Sequence, residues 1–260
     1  MFFDPLQAGP GDNWLQTRQG RRLYVLQEKL ILDLVSPVAG ESVLDVGCGS
    51  GNYLRLFERK KCLLTGMDPS QAALEAARRK LGASCELVLG NAADIPFSDN
   101  EFDMVTVMGG LQGSANPQRA LAEAIRVSRN RVFVGFFNRH SLAGTEQAMR
   151  KFFGFSAASE ARFFSIGEMQ RLIRKTMSGA QIQWGSVMCL PGPAHALLPS
   201  LEDLFPMRKN PLGAFVGMVF AVNYTYRTVQ HPVLNSFKLK ARERSAAPEA
   251  VRDMLREGKS

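Results

Sequence analysis

An apolar strand that runs directly into three alternating glycines is the feature that most constrains this 260-residue chain. The segment Val43–Asn52 reads Val-Leu-Asp-Val-Gly-Cys-Gly-Ser-Gly-Asn. Glycine is needed where the backbone turns with a positive φ and where a ligand must touch the main chain. A strand, a glycine-rich loop and a following helix form a nucleotide-binding crevice at the carboxyl end of the strand. The spacing is Gly-x-Gly-x-Gly, which differs from that of dinucleotide sites and disfavours an NAD dehydrogenase.

Segments with the periodicity of strands and of helices alternate along the chain. Leucines at helical spacing predict an amphipathic helix over Gln19–Val35. Strands are predicted at Ser42–Val46, Cys62–Met67, Cys85–Leu89, Phe102–Met108, Arg131–Phe137, Gln181–Leu190 and Ala214–Val222. Further helices are predicted at Gly51–Glu58, Ser70–Lys80, Asn116–Val127 and Ser165–Met177. Gly82 is expected to end the helix before it in a left-handed conformation. Repeated β-α-β units predict an α/β fold, with a mostly parallel sheet between two layers of helices.

Two long segments interrupt this alternation and suggest how the chain is divided. Residues 138–164 and 191–211 exceed ordinary connections, and such loops are often lids or binding loops. We expect an N-terminal helical segment or lid over residues 1–40, a main domain over residues 41–227 that contains both insertions, and a basic tail over residues 228–260. The first insertion is rich in phenylalanine. It either covers a pocket for an apolar acceptor or completes the core under a long loop.

Composition excludes several classes of protein. Hydrophobic residues make up 45% of the chain and charged residues 22%, as in ordinary globular proteins. No apolar stretch approaches the ~20 residues that span a bilayer, and the N-terminus does not resemble a signal peptide, so a cytoplasmic location is predicted. The four cysteines are scattered without nearby histidines, which argues against a metal site or a disulfide framework. The net charge of +8 favours an acidic partner, but no block has the density of a nucleic-acid-binding arm. We interpret the excess charge as solvated faces.

The glycine-rich segment resembles the first motif of class I S-adenosylmethionine (SAM)-dependent methyltransferases, a hydrophobic run followed by an acid, any residue and Gly-x-Gly-x-Gly. In that family the loop wraps the methionine end of SAM. The resemblance implies that Gly47, Gly49 and the backbone of Cys48 contact SAM, and that Asp45 orders the loop or receives the amino group of SAM through water. It also implies a Rossmann-like three-layer sandwich whose seven-stranded sheet is parallel except for the last strand.

A carboxylate at the end of the second predicted strand resembles the family's ribose-binding acid. Asp68 lies 21 residues after Gly47, in the segment Met67-Asp68-Pro69-Ser70. A carboxylate here can accept hydrogen bonds from both ribose hydroxyls, and its charge would repel a 2′-phosphate. We therefore expect Asp68 and Pro69 to contact the cofactor. The alternative is that Asp68 merely accompanies the Ser70 helix cap.

The segment after the third predicted strand resembles the family's adenine-binding stretch. Residues 90–97 read Gly-Asn-Ala-Ala-Asp-Ile-Pro-Phe, where the family usually has Gly-Asp-Ala-x-x-Leu-Pro-Phe. Asn91 replaces the acid, and its amide oxygen can still accept the adenine amino group without charge assistance. Asn91 and Ala92 are the expected contacts, and Asp94 either contributes or lies on the surface. Met108 and Gly109, which end the fourth strand, are also expected to border the cofactor.

The sequence proposes few catalytic groups. The sulfonium of SAM makes its methyl group electrophilic, so a general base is needed only when the acceptor carries a proton at working pH. His140, just after the fifth predicted strand, is the best-placed candidate, with packing or capping as its alternative role. Trp14 and Tyr24 either fold over the cofactor as part of a lid or pack into the core.

The function predicted is methyl transfer from SAM to a small-molecule acceptor that the sequence does not identify. A nucleic-acid or protein methyltransferase is the first alternative. The basic charge favours it, but the fourth strand leads to Met108-Gly-Gly-Leu-Gln rather than to Asn/Asp-Pro-Pro-aromatic. The second alternative is a SAM-binding partner protein without catalysis, because no catalytic residue is evident and Asn91 replaces an acid. No metal is predicted, and the oligomeric state is left open.

Overall fold

The computed structural model describes residues 18–141, 162–188 and 209–222. The predicted residue Trp14 and the basic tail over residues 228–260 lie outside these ranges. The described helices are α1 (Arg18–Val35), α2 (Leu54–Glu58), α3 (Gln71–Leu81), α4 (Pro117–Val127) and α5 (Ile166–Thr176). The described strands are β1 (Ser42–Val46), β2 (Leu63–Asp68), β3 (Cys85–Leu89), β4 (Phe102–Met108), β5 (Ser128–Phe137), β6 (Ile182–Val187) and β7 (Phe215–Ala221).

These strands form one sheet in the order β3-β2-β1-β4-β5-β7-β6. The strands β1 to β5 pair in parallel, with Val43 opposite both Leu64 and Met104. The last strand, β7, runs antiparallel to both of its neighbours, β5 and β6. The predicted α/β fold, a mostly parallel seven-stranded sheet with an antiparallel last strand, is confirmed. The strand order reverses at β1, because β2 and β3 lie on one side of it and β4 and β5 on the other. The crevice of this fold therefore lies at the end of β1.

The two faces of the sheet bury different helices. One apolar cluster joins Leu44, Val105 and Val134 to residues of α4 and α5. The other joins the alternate residues Val43 and Met104 to residues of α1, α2 and α3. Successive residues of a strand point to opposite faces, so strands that are apolar at every position need helices on both sides. The three-layer sandwich is therefore the arrangement that covers both faces.

Side chains at the helix starts explain why the helices begin where they do. The Ser70 hydroxyl accepts a hydrogen bond from the Ala73 amide, and Asn116 Oδ1 accepts one from the Arg119 amide. Ser165 and Glu168 form the predicted capping box at the start of α5. The prediction for Gly82 was wrong in part, because its φ of 60° is positive but its ψ of −132° lies outside the left-handed helical region.

The predicted start of α2 was also wrong. The helix begins at Leu54 rather than at Gly51. Gly51 has a φ of +78°, so the chain has not yet entered a helical conformation there. A Cβ at Gly51 would lie 2.8 Å from Leu81 Cδ1, so this glycine also lets the loop pack against α3.

Both predicted insertions connect to the sheet around Asn138. This residue is buried and pairs with Phe164 in a short parallel bridge. Its Nδ2 donates hydrogen bonds to the carbonyls of Pro211 and Gly213, at 2.8 and 3.0 Å. Phe163 and Phe164 are buried in the core. The core-packing alternative therefore holds for these two rings, while residues 142–161 and 191–208 of the insertions lie outside the described ranges.

Candidate functional site

A cavity of about 400 Å³ lies at the carboxyl ends of β1, β2, β3 and β4. Loops that follow parallel strands meet at this edge of the sheet, which is where ligands bind in folds of this class. The volume is within the usual range of small-molecule sites. The cavity is lined by Gly47, Gly49, Met67, Asp68, Pro69, Gly90, Asn91, Ala92, Ala93, Met108, Gly109, Gly110, Gly113, Ser114, Ala115 and Asn116.

The glycine-rich loop after β1 is held against the end of β2. Gly47 and Gly49 have φ angles of 75° and 55°, which side chains rarely permit. The amides of Gly47 and Cys48 both donate to the Met67 carbonyl, at 2.7 and 3.0 Å, and the Gly49 amide donates to Asp68 Oδ2 at 2.9 Å. These hydrogen bonds fix the loop in its turned conformation and leave the backbone of Gly47 and Gly49 facing the cavity.

The loop after β4 presses closely on the glycine-rich loop. A Cβ at Gly47 would lie 3.2 Å from Gly110 Cα, and a Cβ at Gly110 would lie 2.9 Å from the Val46 carbonyl oxygen. Gly109 has a φ of +78°. The predicted border of the cavity at Met108 and Gly109 thus exists because glycines let the backbones of the two loops approach each other closely.

Asp68 is the one ionisable side chain among the described residues that line the cavity. Its Oδ2 accepts from the Gly49 amide and its Oδ1 from the Ser70 amide, each at 2.9 Å. Burial raises the pKa of this carboxyl above its usual range, and the two amide hydrogen bonds oppose that rise. Each carboxylate oxygen has a second lone pair. Asp68 can therefore accept further hydrogen bonds from a ligand while it holds both loops.

Asn91 lines the cavity from the rim and is exposed. Its Oδ1 accepts a hydrogen bond from the Ala93 amide at 2.9 Å, and its backbone pairs with Asp94 in a short bridge. The side chain thus shapes its own loop, and one lone pair of its amide oxygen stays available to a ligand. Ala92 lines the cavity as expected. Asp94 is exposed and does not line it, which agrees with the surface alternative.

The loop over residues 90–97 is held to α4 by hydrogen bonds to an ion pair within that helix. Arg126 Nη2 lies 2.8 Å from Glu123 Oε2, which also accepts the Ile95 amide at 3.0 Å. The Arg126 guanidinium donates to the carbonyls of Ile95 and Phe97. The hydrogen bond from Arg126 holds the pKa of the Glu123 carboxyl below its usual range. This pair is a structural clamp on the loop that carries Asn91.

Asp45, which is expected to order the loop or to receive the amino group of SAM through water, is not among the residues that line the cavity. Its side chain is completely buried, and Oδ1 accepts a hydrogen bond of 2.7 Å from Thr106 of β4. Its Oδ2 has no hydrogen-bond partner among the described residues. Burial raises the pKa of the Asp45 carboxyl to about 7, although the Thr106 hydrogen bond opposes the rise, and the nearby Asp68 charge adds to it. The acid that precedes the glycines is thus a buried link between β1 and β4.

Cys48 and Tyr24 also lie away from the cavity lining. The Cys48 thiol points into the core, where a Cβ at Gly66 would come within 2.9 Å of Sγ, and burial raises its pKa. The Tyr24 hydroxyl donates to the Asn52 carbonyl at 2.8 Å. Tyr24 therefore connects α1 to the segment after the glycine-rich loop, as the packing alternative expects, and its part in a lid stays a prediction.

His140 is exposed and does not line the cavity. Its backbone amide donates to Asn138 Oδ1 at 3.2 Å, so the residue takes part in the turn after β5. The prediction of His140 as a general base therefore has no support from its position. The predicted lid residue Trp14 lies outside the described residues.

The sequence analysis missed one wall of the cavity, residues 113–116. These residues read Gly-Ser-Ala-Asn and connect β4 to the cap of α4. The signal that could have revealed them is the run of small residues directly before a helix cap, because small residues let backbone approach a ligand. Within the described ranges, no helix is long and apolar enough to cross a membrane, and no three His, Cys, Asp or Glu side chains form a metal-binding group.

Comparison with known proteins shows what the strands around the site are similar to. Residues 44–134 match the model of a methyltransferase domain. The chain is 35% identical over 114 residues to a demethylmenaquinone methyltransferase of Renibacterium salmoninarum. The matched region is 44% of this chain and 45% of that protein. It is also 28% identical over 153 residues to a demethylmenaquinone methyltransferase of Listeria welshimeri, a match that covers 55% of this chain and 65% of that protein. The chain thus spans about half the length of the curated relatives it matches.

A solved structure supports the fold. A SAM-dependent methyltransferase of Thermotoga maritima, described as a possible histamine N-methyltransferase, superimposes with a TM-score of 0.63 at 22% identity. The match covers 82% of this chain and 94% of that one. The methyltransferase-domain model extends from within β1 to within β5, and so includes the ends of β1 to β4 that form the cavity. The motif, the sheet and these matches show that residues 44–134 are similar to a methyltransferase domain and that the chain has the fold of SAM-dependent methyltransferases.

Proposed function

We propose that this protein binds SAM in the cavity at the ends of β1 to β4 and transfers its methyl group to a small-molecule acceptor. The observation that carries the proposal is the convergence of the glycine-rich loop, Asp68 and the Asn91 loop on one cavity of about 400 Å³. These three features come from three different strand ends, and each matches a separate part of the cofactor in the family that the sequence resembles.

The described residues fit SAM in chemistry. Asp68 keeps lone pairs for the ribose hydroxyls, and the Asn91 amide keeps one for the adenine amino group. Gly47 and Gly49 present bare backbone, which suits the methionine end of the cofactor. A bound SAM supplies an electrophilic methyl group, so the protein's own contribution is to hold the reactants in line and to exclude water.

Proton transfer by the described lining is not part of the proposal. Asp68 is its one ionisable side chain, and both of its oxygens hold backbone amides. A general base is needed only for acceptors that are protonated at working pH. We therefore expect an acceptor whose nucleophilic atom needs no proton removed by the protein before methyl transfer, such as an ionised oxygen, or a ring carbon activated by one that releases its proton to water afterwards.

The relatives suggest where to begin the search for the acceptor. Two curated relatives are demethylmenaquinone methyltransferases, and a third is a ubiquinone/menaquinone biosynthesis C-methyltransferase of Roseobacter denitrificans, 32% identical over 114 residues. A demethylated quinol is thus the first acceptor to assay, beside phenols, amines and thiols of similar size.

The proposal is tested by following a labelled methyl group. Purified protein is incubated with SAM labelled in its methyl group and with each acceptor, and both the labelled product and S-adenosylhomocysteine are quantified by mass spectrometry. We expect both to form in equal amounts with at least one acceptor. At a SAM concentration near the wild-type Kd, the Asp68→Ala variant should lose most of this activity, while Asp33→Asn, which changes an exposed carboxylate of α1, should keep it. A protein that binds SAM but forms neither product with any acceptor would contradict methyl transfer.

A further inference from the structure

A second cavity, of about 450 Å³, adjoins the proposed cofactor cavity. The two share Ala115 and Asn116, so a molecule in the second cavity can extend into the first. The second cavity lies between the start of α4 and the outer surface of α5. It is lined by Ala115, Asn116, Pro117, Gln118, Arg162, Phe164, Glu168, Arg171, Leu172 and Lys175.

Cations dominate the charged lining. Arg162, Arg171 and Lys175 contribute three positive charges, and Glu168 is the one carboxylate among the lining residues. The charge of Glu168 is already balanced, because its Oε1 lies 3.3 Å from Arg139 Nη1 and its Oε2 accepts the Ser165 amide at 2.8 Å. Glu168 also interacts with the charge of Arg162, but one carboxylate cannot balance three lining cations, so the cavity keeps an excess of positive charge.

The three cations have few partners of their own within the described ranges. Arg162 lies over the Phe164 ring, 5.1 Å from its centroid, and Arg171 uses only its Nε, as a donor to the Gly167 carbonyl. Lys175 makes no hydrogen bond or ion pair with another described residue. Arg171 and Lys175 are four residues apart on α5, and like charges at this spacing repel each other. An anion between them would relieve that repulsion.

The start of α4 adds to the same electrostatic field. Asn116 caps this 11-residue helix and Pro117 is its first residue, so the positive end of the helix dipole faces the cavity. Phe164 and Leu172 supply apolar surface beside the cations. The lining thus combines a cationic wall with a smaller apolar one.

We propose that the second cavity binds an anionic group, a carboxylate or a phosphate, on the methyl acceptor. The body of the acceptor then packs against Phe164 and Leu172 and passes Ala115 and Asn116 toward the first cavity. This inference rests on the proposed function, because it names the class of acceptor for the same site. Among the acceptors assayed above, the inference favours those that carry an anionic group over neutral quinols.

The inference is tested by calorimetric titration of protein saturated with S-adenosylhomocysteine, at low ionic strength. The probes are phenyl phosphate, benzoate and the neutral benzyl alcohol. We expect saturable binding of at least one anion and none of the alcohol. Arg171→Gln and Lys175→Gln should each weaken the binding of that anion about tenfold, the typical effect of losing one charge-assisted hydrogen bond.

Arg174→Gln is the matched control, because Arg174 lies on the same helix, is exposed and does not line the cavity. It should bind the anions as the wild type does. The inference is overturned if neither anion binds, if benzyl alcohol binds as tightly, or if the Arg174 variant loses as much affinity as the other two. The affinity for S-adenosylhomocysteine is measured in every variant. A wild-type protein that does not bind S-adenosylhomocysteine would contradict the proposed function instead. A variant that still binds S-adenosylhomocysteine is shown to be folded.

Discussion

Replacing Asp45 by asparagine should change how the stability of the cofactor-free protein depends on pH. Asp45 is completely buried, and one of its carboxylate oxygens has no partner among the described residues. Asparagine keeps an oxygen for the Thr106 hydroxyl, which now donates to Asp45 Oδ1 at 2.7 Å, and it cannot ionise. The variant thus retains the shape of the site and removes its titration.

The magnitude follows from the pKa of the Asp45 carboxyl, about 7 in the folded protein against the ordinary 3.8. Because the folded pKa is the higher one, the folded state binds more protons than the unfolded state throughout this interval. The contribution of Asp45 to stability is therefore greatest at acidic pH and is lost as the pH rises toward 7. A tenfold change in an acid constant corresponds to about 1.4 kcal/mol, so the loss between about pH 5 and about pH 8 is roughly 3 kcal/mol.

The assay is urea denaturation of wild type and Asp45→Asn at several pH values, followed by circular dichroism. The difference between their free energies of unfolding should shift by roughly 3 kcal/mol in favour of the variant from about pH 5 to about pH 8. Asp33→Asn serves as the control, because Asp33 is exposed on α1, and its difference from wild type should stay nearly constant. A difference for Asp45→Asn that does not change with pH would refute the reasoning, since the buried carboxyl would then ionise as in the unfolded chain.

Two further predictions concern the cavity and its surroundings. Gly110→Ala should lower the free energy of unfolding, measured by urea denaturation, by about 1–3 kcal/mol, because the new Cβ would lie 2.9 Å from the Val46 carbonyl oxygen. Gly167→Ala is the control and should leave the free energy of unfolding unchanged, because a Cβ at Gly167 meets open space. His140→Gln should leave the rate of S-adenosylhomocysteine formation within about twofold of wild type, because His140 does not line the cavity; a loss of about a hundredfold or more, the typical contribution of a general base, would contradict this.

Local signals in the sequence predicted most of the fold. The bounds of β1, β3 and β4 agree with the prediction, and α4 begins one residue after the predicted Asn116. The start of α4 could be read because Asn116 and Pro117 act within one turn of the chain. The position of β7 between β5 and β6 could not be derived in this way, because strand order depends on contacts between distant segments. Only the antiparallel direction of the last strand was predicted, from the resemblance to a known family.

The candidate site was predictable where the topology alone places a residue. Asp68 lines the cavity because it ends a parallel strand next to β1, and this position of its backbone does not depend on the conformation of its side chain. Side-chain directions were not predictable. Cys48 turns into the core because Gly66 leaves room for its sulfur, and the hydrogen-bond partner of Asp45 lies 61 residues away in the sequence. Residues 113–116 were missed because their place at the rim depends on how the loop after β4 folds back.

The central claim is that the cavity at the ends of β1 to β4 is a SAM site, and calorimetric titration tests it most directly. S-adenosylhomocysteine should bind the wild type with micromolar affinity, and NADH should not bind. Asp68→Ala should weaken that binding by about 1.5–3 kcal/mol, because charge-assisted hydrogen bonds from the ribose would be lost. Binding of NADH in place of SAM and S-adenosylhomocysteine, or an Asp68→Ala variant that binds S-adenosylhomocysteine as tightly as wild type, would contradict the account.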